Sequence, residues 1–579
     1  MGDAWTPDLR ARVLDWVADD PDPITREELG DLAERADGGD AAAVTDLADR
    51  FAADLDFGTA GLRGALGGGP NRMNLAVVIR AAAGVAAWLR DTAGPDGPRR
   101  GVAICFDARH RSADFAEATA AVLAGAGIRA QVLPGPLPTP VLAFAVRHLG
   151  AAAGVMVTAS HNPPQDNGYK VYDGTGRQIV SPTDAHIAAA MTAVERVTAV
   201  PRTGPDDPDI VRLGPEVADA YVAGAAAAGR VPGARDATLA YTAMHGVGAA
   251  TFRRVLGAAG FAPAVEVAEQ VEPDPDFPTV AFPNPEEPGA LDLGLAAASA
   301  AGADVLIAND PDADRLGVAV PDAARGPVTS PAGWRALRGD EIGPVLAHHL
   351  LTHGGVPAGS VFATTIVSST LLGRMAAAAG VGYVETLTGF KWISRAAGPD
   401  GSLAFGYEEA LGFCVGDLVG DKDGITAAVV LAEAVSALAA EGRTVLDVLD
   451  DLALAHGVHL TGQWSARVAG ADGMDRLVAA MAALRVAPPT ELAGRTVDAV
   501  DDLLGGDPAR GFPPSDVLRL HLRGARVVIR PSGTEPKLKC YVEVVEPVTD
   551  PDDLAAARSR AAGALADLTA AAAAATGLG

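Results

Sequence analysis

Thr158-Ala-Ser-His-Asn-Pro163 places a hydroxyl beside an imidazole directly after an apolar run, Gly154-Val-Met-Val-Thr158. The run reads as a short buried strand. The polar, Pro-rich continuation reads as the loop at its C-terminal end, where open α/β sheets carry their chemistry. Ser160 is there a candidate covalent nucleophile. Ser, His, Asn and Pro are also ordinary turn or cap residues, so this stretch alone leaves both readings open.

Further along, Asp310-x-Asp312-x-Asp314 spaces three carboxylates at alternate positions. In an extended segment they fall on one side and can converge on a hard cation. Oxygen-only ligands favour Mg²⁺ over zinc. An EF-hand is excluded, because Arg315 stands where its Gly belongs and Pro321 where its closing Glu belongs. Position directly after Val305-Leu-Ile-Ala308 favours a metal over a solvated turn. Arg530-Pro-Ser-Gly-Thr-Glu-Pro-Lys537 gathers two cations, two hydroxyls and a Gly turn behind another strand, an anion cradle. Phe57-Gly-Thr-Ala-Gly-Leu-Arg63-Gly64 is either a flexible turn or backbone that lets Arg63 meet an anion. Glu408-Glu409 is either the acidic start of a helix or a pair able to accept from vicinal hydroxyls. The acidic, Pro-rich stretches 272–278 and 284–287 read as rigid surface loops without a ligand role.

The elements that must position these residues alternate. Apolar strands at 101–106, 238–241, 303–308, 361–367 and 403–405 are each bordered by helical stretches, in three successive units. That alternation predicts α/β domains with largely parallel or mixed sheets, and its threefold recurrence a repeated domain. Pro/Gly/Asp-rich stretches near 200–209, 321–338 and 442–457 set boundaries at 1–204, 205–325, 326–453 and 454–579. The last segment has alternating strands at 515–522, 525–529 and 539–545 and a closing helix, a smaller α+β domain. Residues 1–56 read as packing helices, with Leu9, Val13, Trp16 and Val17 on one face and Leu47, Phe51 and Leu55 on another.

Composition bounds the rest. With 49% hydrophobic and 21% charged residues the chain is globular. A net charge of −27 argues against nucleic acid and anionic membranes as partners. Cys105, Cys414 and Cys540 are few and far apart, which fits a reducing compartment. Met1-Gly-Asp-Ala-Trp5 has no basic or apolar leader character, and residues 425–440 read as a buried helix. A cytoplasmic location is expected.

Thr158-Ala-Ser-His-Asn-Pro163, Asp310-Pro-Asp-Ala-Asp-Arg315, Gly406-Tyr-Glu-Glu-Ala-Leu-Gly412 and Arg530-Pro-Ser-Gly-Thr-Glu-Pro-Lys537 occur in the order and spacing of the α-D-phosphohexomutase superfamily. The chain resembles the phosphoglucomutases and phosphopentomutases within it over nearly its whole length. The resemblance implies three related α/β domains and a distinct fourth around a central cleft. It implies a phosphoserine at Ser160, and Mg²⁺ held by Asp310, Asp312 and Asp314 with a phosphoserine oxygen. Acid/base and charge roles fall on His161, Lys170, Lys422 and Arg63. Sugar and phosphate contacts fall on Arg315, Thr388, Gly389, Lys391, Glu408, Arg530, Ser532, Gly533, Thr534 and Lys537. The implied reaction moves a phosphoryl group between C1 and C6 (or C5) of an aldose phosphate, with a sugar bisphosphate as intermediate and activator. Phosphoglucomutase is the leading expectation, with phosphopentomutase or phosphomannomutase as alternatives. Ala410 stands where many phosphoglucomutases carry Ser, which leaves the sugar open. An aspartyl-phosphate phosphatase would carry Thr or Val soon after its second Asp. A non-catalytic sugar-phosphate-binding relative would be expected to have lost Ser160 or a metal Asp, and all are present.

Overall fold

The computed structural model describes residues 5–58, 60–229, 233, 235–468, 473–532 and 537–578. The chain forms two compact units. One holds residues up to Ala336 with Gly412–Glu433; the other holds Leu337–Leu411 and residues from Ala434 on.

The first unit opens with helices Pro7–Asp19, Pro23–Asp37 and Ala41–Arg50. Thr6, Asp22 and Asp40 cap them by accepting from first-turn N–H groups. Leu9, Val13, Leu29, Leu47 and Phe51 close a small core between them. Leu55, grouped with Leu47 and Phe51 by helical spacing, lies past the helix end and packs on the core of the first sheet.

That sheet has six strands in the order Leu62–Ala65, Asp166–Asp173, Ala153–Val157, Val102–Phe106, Ala130–Val132, Ile210–Arg212. The last four run parallel; Asp166–Asp173 runs antiparallel to Ala153–Val157, and Leu62–Ala65 antiparallel to it. Val102–Phe106 and Ala153–Val157 are near-continuous apolar runs because helices such as Leu75–Thr92 and Ser112–Gly125 bury them. The end of the glycine-rich stretch 57–64, from Leu62 on, is thus an edge strand rather than a loose turn. Gly61 permits it: its φ is +76° and a Cβ there would lie 1.9 Å from the Tyr169 carbonyl oxygen. The second sheet centres on Val305–Ala308, with Leu239–Thr242 parallel on one side and Gly317–Pro321 antiparallel on the other.

In the second unit, Val361–Thr365 lies between parallel strands Gly382–Thr386 and Leu403–Glu408. An antiparallel sheet follows in the order Val458–Arg467, Lys537–Glu546, Ala525–Pro531, Leu518–Leu522, Arg495–Asp502, Glu491–Leu492. Helix Leu554–Ala575 buries Leu568 and Ala572 in the core of this sheet. An apolar cluster joins Ile366, Val367 and Leu387 to Phe512, Val528 and Tyr541. Beside it, Arg526 pairs with Glu385 at 3.0 Å and Glu543 at 3.1 Å, and Glu543 accepts from Ser369, Thr370 and His459. All three cysteines are buried free thiols. Among the described residues no single helix is long and apolar enough to cross a membrane.

Candidate active site

Strand Ala153–Val157 delivers Ser160 as expected. The Thr158 hydroxyl accepts from the Ser160 N–H at 2.8 Å, and Ser160 takes a left-handed conformation with φ +54°. This non-glycine strain marks a loop whose shape is imposed from outside. Ser160 is buried, and its Oγ donates to Asp310 Oδ2 at 3.0 Å. His161 Nδ1 lies 3.4 Å from the same Oγ. Burial, then Arg315 and Arg63, push the His161 imidazolium well below the usual histidine range, so the ring is neutral.

Asp310, Asp312 and Asp314 do converge, and one carboxylate oxygen from each lies within 4.8 Å of the other two. The route differs from an extended segment. Ala313 is left-handed at φ +53° and its N–H donates to the Asp310 carbonyl, so a tight turn gathers the side chains. Lys170 Nζ lies 2.7 Å from Asp312 Oδ2 and 3.1 Å from Asp314 Oδ2. Lys422 Nζ lies 3.2 Å from Asp314 Oδ2. Arg315 donates its N–H to Asp310 Oδ1, and its Nη1 lies 3.6 Å from Glu286. Arg63, on strand Leu62–Ala65, feels all three aspartates; burial lowers its pKa and their charges oppose the shift. Burial and the two neighbouring carboxylates push Asp310 well above the usual carboxylate range. Burial also acts on Asp312 and Asp314, but Lys170, with Lys422 at Asp314, outweighs it and holds both down.

The residues fit a hard divalent cation. Oδ1 of Asp312 and Oδ1 of Asp314 are buried and accept no hydrogen bond, which is costly unless a cation or donor meets them. Three buried carboxylates with Ser160 Oγ form an oxygen-only donor set of the kind Mg²⁺ takes.

Several supporting residues carry no sequence signal. Thr139 donates to Asp312 Oδ2 at 2.6 Å, and its N–H to the Asp312 carbonyl. Asp421 accepts from the hydroxyl of Tyr172 and from Gln178, both at 2.9 Å, while its other oxygen accepts from the Lys422 N–H. Asp421 thereby fixes the backbone that carries Lys422.

A second cluster lies within the second unit. Glu408 ends strand Leu403–Glu408, and half-buried Glu409 accepts from Thr365 Oγ1 at 3.2 Å and Ser368 Oγ at 3.1 Å. Burial, Glu408 and Asp340 push the Glu409 carboxyl up to about 7. Thr388 and Gly389, the latter at φ +106°, precede the short helix Phe390–Ile393 that carries Lys391. Arg530 ends the run before Pro531, and the Ser532 N–H donates to the Lys537 carbonyl at 2.7 Å. Gly533 and Thr534 lie outside the described residues. Tyr541, missed in the sequence, links the two loops: burial raises its phenol pKa, as do Glu409 and Glu408, while Arg530 opposes them by charge and a hydrogen bond.

Known proteins resemble this chain over most of its length. Residues 54–198, 219–325 and 338–454 match the phosphoglucomutase/phosphomannomutase alpha/beta/alpha domains I, II and III, and residues 467–558 match the C-terminal domain of that family. A probable phosphomannomutase of Haemophilus influenzae is 44% identical over 81% of this chain and 93% of its own length. A phosphoglucomutase of Staphylococcus haemolyticus is 34% identical over 87% of this chain and 93% of its own. The crystal structure of a phosphoglucomutase/phosphomannomutase family protein from Burkholderia thailandensis shares the fold, with a TM-score of 0.65 at 21% identity over 90% of this chain and 97% of that one. The chain, with a buried serine set on a carboxylate triad, belongs to the phosphoglucomutase/phosphomannomutase family of the α-D-phosphohexomutases.

Proposed function

We propose that the chain interconverts glucose 1-phosphate and glucose 6-phosphate, with ribose 1-phosphate as a second substrate. Membership in the family makes it a phosphosugar mutase, an intramolecular phosphotransferase. The observation that carries the reading is Ser160 Oγ, buried 3.0 Å from Asp310 at the lip of the triad.

In this reading Ser160 holds a phosphoryl group at rest. The free hydroxyl of the sugar phosphate attacks it; its proton goes to a neighbouring base, and the Ser160 Oγ–P bond breaks as the new O–P bond forms. The bisphosphate then presents its other end, Ser160 Oγ attacks that second phosphoryl group, and the sugar O–P bond there breaks as the base returns its proton to the sugar oxygen. Asp310, Asp312 and Asp314 would hold Mg²⁺, which supplies charge neutralisation at the transferring group. Arg63 and Arg315 add fixed positive charge to the same region. His161, Lys170 and Lys422 are the candidate acid/base groups. Glu408 accepts from two adjacent sugar hydroxyls, and Arg530, Ser532 and Lys537 hold the non-transferring phosphate.

Support for glucose comes from the motif order and the phosphoglucomutase relative. Support for a pentose comes from Ala410, which removes a hydroxyl from the sugar loop. The 44% identical relative favours mannose 1-phosphate as a second reading. A coupled assay across glucose, mannose and ribose 1-phosphates, with and without a sugar bisphosphate, tests all three. Glucose 1-phosphate should give the highest kcat/KM and depend on the bisphosphate; a strong preference for mannose 1-phosphate contradicts the proposal.

A further inference from the structure

The loop that carries Ser160 is closed from below by Arg109. Its side chain is buried, and its guanidinium donates to four backbone carbonyls between Ser160 and the first residue of the next strand, Asp166. Nη2 donates to Ser160 at 2.7 Å and to Asn162; Nη1 donates to Pro163 at 2.8 Å and to Asp166 at 3.1 Å. Carbonyl oxygens converging from a tight loop repel one another, and buried acceptors left bare are costly. A planar fork of five donors answers several of them at once; an ammonium cannot match that geometry.

Arg109 is itself fixed. Asp107 Oδ2 lies 3.4 Å from its Nε, and Asp107 Oδ1 accepts from the Arg109 N–H and from Ser112 Oγ. Phe277 covers the guanidinium face, with Cζ 4.9 Å from the ring centroid. Phe277 is buried and left-handed at φ +44°, and its N–H donates to the Asp274 carbonyl. Asp276, its neighbour, meets His110 at 2.7 Å. Residues 272–278, expected to be a rigid surface loop without a ligand role, therefore seat an aromatic plug against Arg109. The domain that supplies the aspartate triad supplies this plug too.

We propose that Arg109, capped by Phe277, is the positioning residue for the Ser160 loop. It holds Ser160 at its left-handed φ, with Oγ directed at Asp310 whether or not it carries phosphate. The inference rests on the reading that Ser160 is the phosphoryl carrier. Arg109 makes its contacts to backbone, so its loss acts on transfer geometry and not on sugar affinity.

The test compares wild type with Arg109→Lys, Arg109→Ala and Phe277→Leu. The phosphate on the peptide containing Ser160 is read first, by mass. No phosphate there together with an active Ser160→Ala variant overturns the carrier reading itself. With phosphate present, Arg109→Lys should lose about 100-fold in kcat, the scale of a ~1 Å misplacement, while KM for glucose 1-phosphate stays within about threefold. Guanidinium ion should restore part of the Arg109→Ala turnover, and methylammonium should not. Phe277→Leu should lower kcat about tenfold with KM unchanged. Near wild-type kcat in Arg109→Lys overturns the inference, as does a loss confined to KM. Soluble, folded Arg109→Ala that guanidinium leaves inactive also counts against it.

Discussion

The ammonium of Lys170 donates to Asp312 Oδ2 at 2.7 Å, and both side chains are buried. The pair lies within the carboxylate set that would hold a cation. Lys170 offsets part of the charge of the triad, and removing one partner of a buried pair costs ~3–5 kcal/mol. Lys170→Met should therefore lower Tm measurably in chelator, and added Mg²⁺ should raise it by more than in wild type. A variant as stable as wild type in chelator shows that the pair contributes nothing to the metal-free fold.

Asp312→Asn removes formal charge from the centre of the same set. Turnover should fall by orders of magnitude while the chain still folds, because Asn still accepts from Thr139 and Lys170 keeps its pairing with Asp314. Wild-type enzyme should likewise lose activity in excess chelator and regain it with Mg²⁺. Turnover indifferent to chelator excludes a metal role for the triad.

Legibility in the sequence followed how local each signal was. Ala153–Val157 and Val305–Ala308 are unbroken apolar runs, so the loops of Ser160 and Asp310 could be placed at strand ends. Strand Asp166–Asp173 gave no such run: Asp-Asn-Gly-Tyr-Lys-Val-Tyr-Asp buries Asn167 and Lys170 among partners supplied by other segments. Leu62–Ala65 was masked by its flanking glycines. The convergence of the three aspartates was foreseen from their spacing, but the left-handed turn at Ala313 was not, since Ala gives no hint of it. Arg109 and Thr139 act only after tertiary closure brings distant backbone to them, and no spacing rule reports that.

Glu543 makes the second unit acid-sensitive. Burial pushes its carboxyl up, but the hydrogen bond from His459 and the charge of Arg526 outweigh that and hold it at about 2, against 4.5 ordinarily. A depressed carboxylate contributes stability present above its unfolded pKa and lost as pH falls through the folded one. The loss should therefore run between pH about 4.5 and about 2 and amount to about 3 kcal/mol. Glu543→Gln should flatten the acid limb of this unit in urea melts followed across that window. An unchanged slope rules out Glu543 as its source.

Glu409 has the opposite sign. Its carboxyl, pushed up to about 7, favours the neutral form in the native state. That stability is fully present below the unfolded pKa of about 4.5 and is lost as pH rises through about 7. At pH above 7 the native state thus carries a charge beside Glu408 and Asp340, a cost of about 2 kcal/mol once screening at a half-buried site is allowed for. Glu409→Gln keeps an acceptor for Ser368 and Thr365 and should raise Tm more at high pH than at pH 5. Equal shifts at both ends refute a titrating Glu409.

Glu409 is followed by Ala410, and the loop proposed to meet the sugar runs through both. In the proposed reading Glu408 accepts from two adjacent hydroxyls and would discriminate among sugars, because inverting or removing one leaves a buried polar group unmatched at ~1–3 kcal/mol. On the same reading Ala410 withholds a further hydroxyl that would add to that discrimination, so glucose and ribose phosphates should be separated less sharply. Ala410→Ser should raise the ratio of kcat/KM for glucose 1-phosphate over ribose 1-phosphate, on the order of tenfold for one new hydrogen bond of about 1.4 kcal/mol. The change should appear in the ratio and leave any phosphate found on Ser160 by mass unaltered, since that residue lies in another domain of the chain. A ratio that does not move removes the sugar loop from the account of specificity.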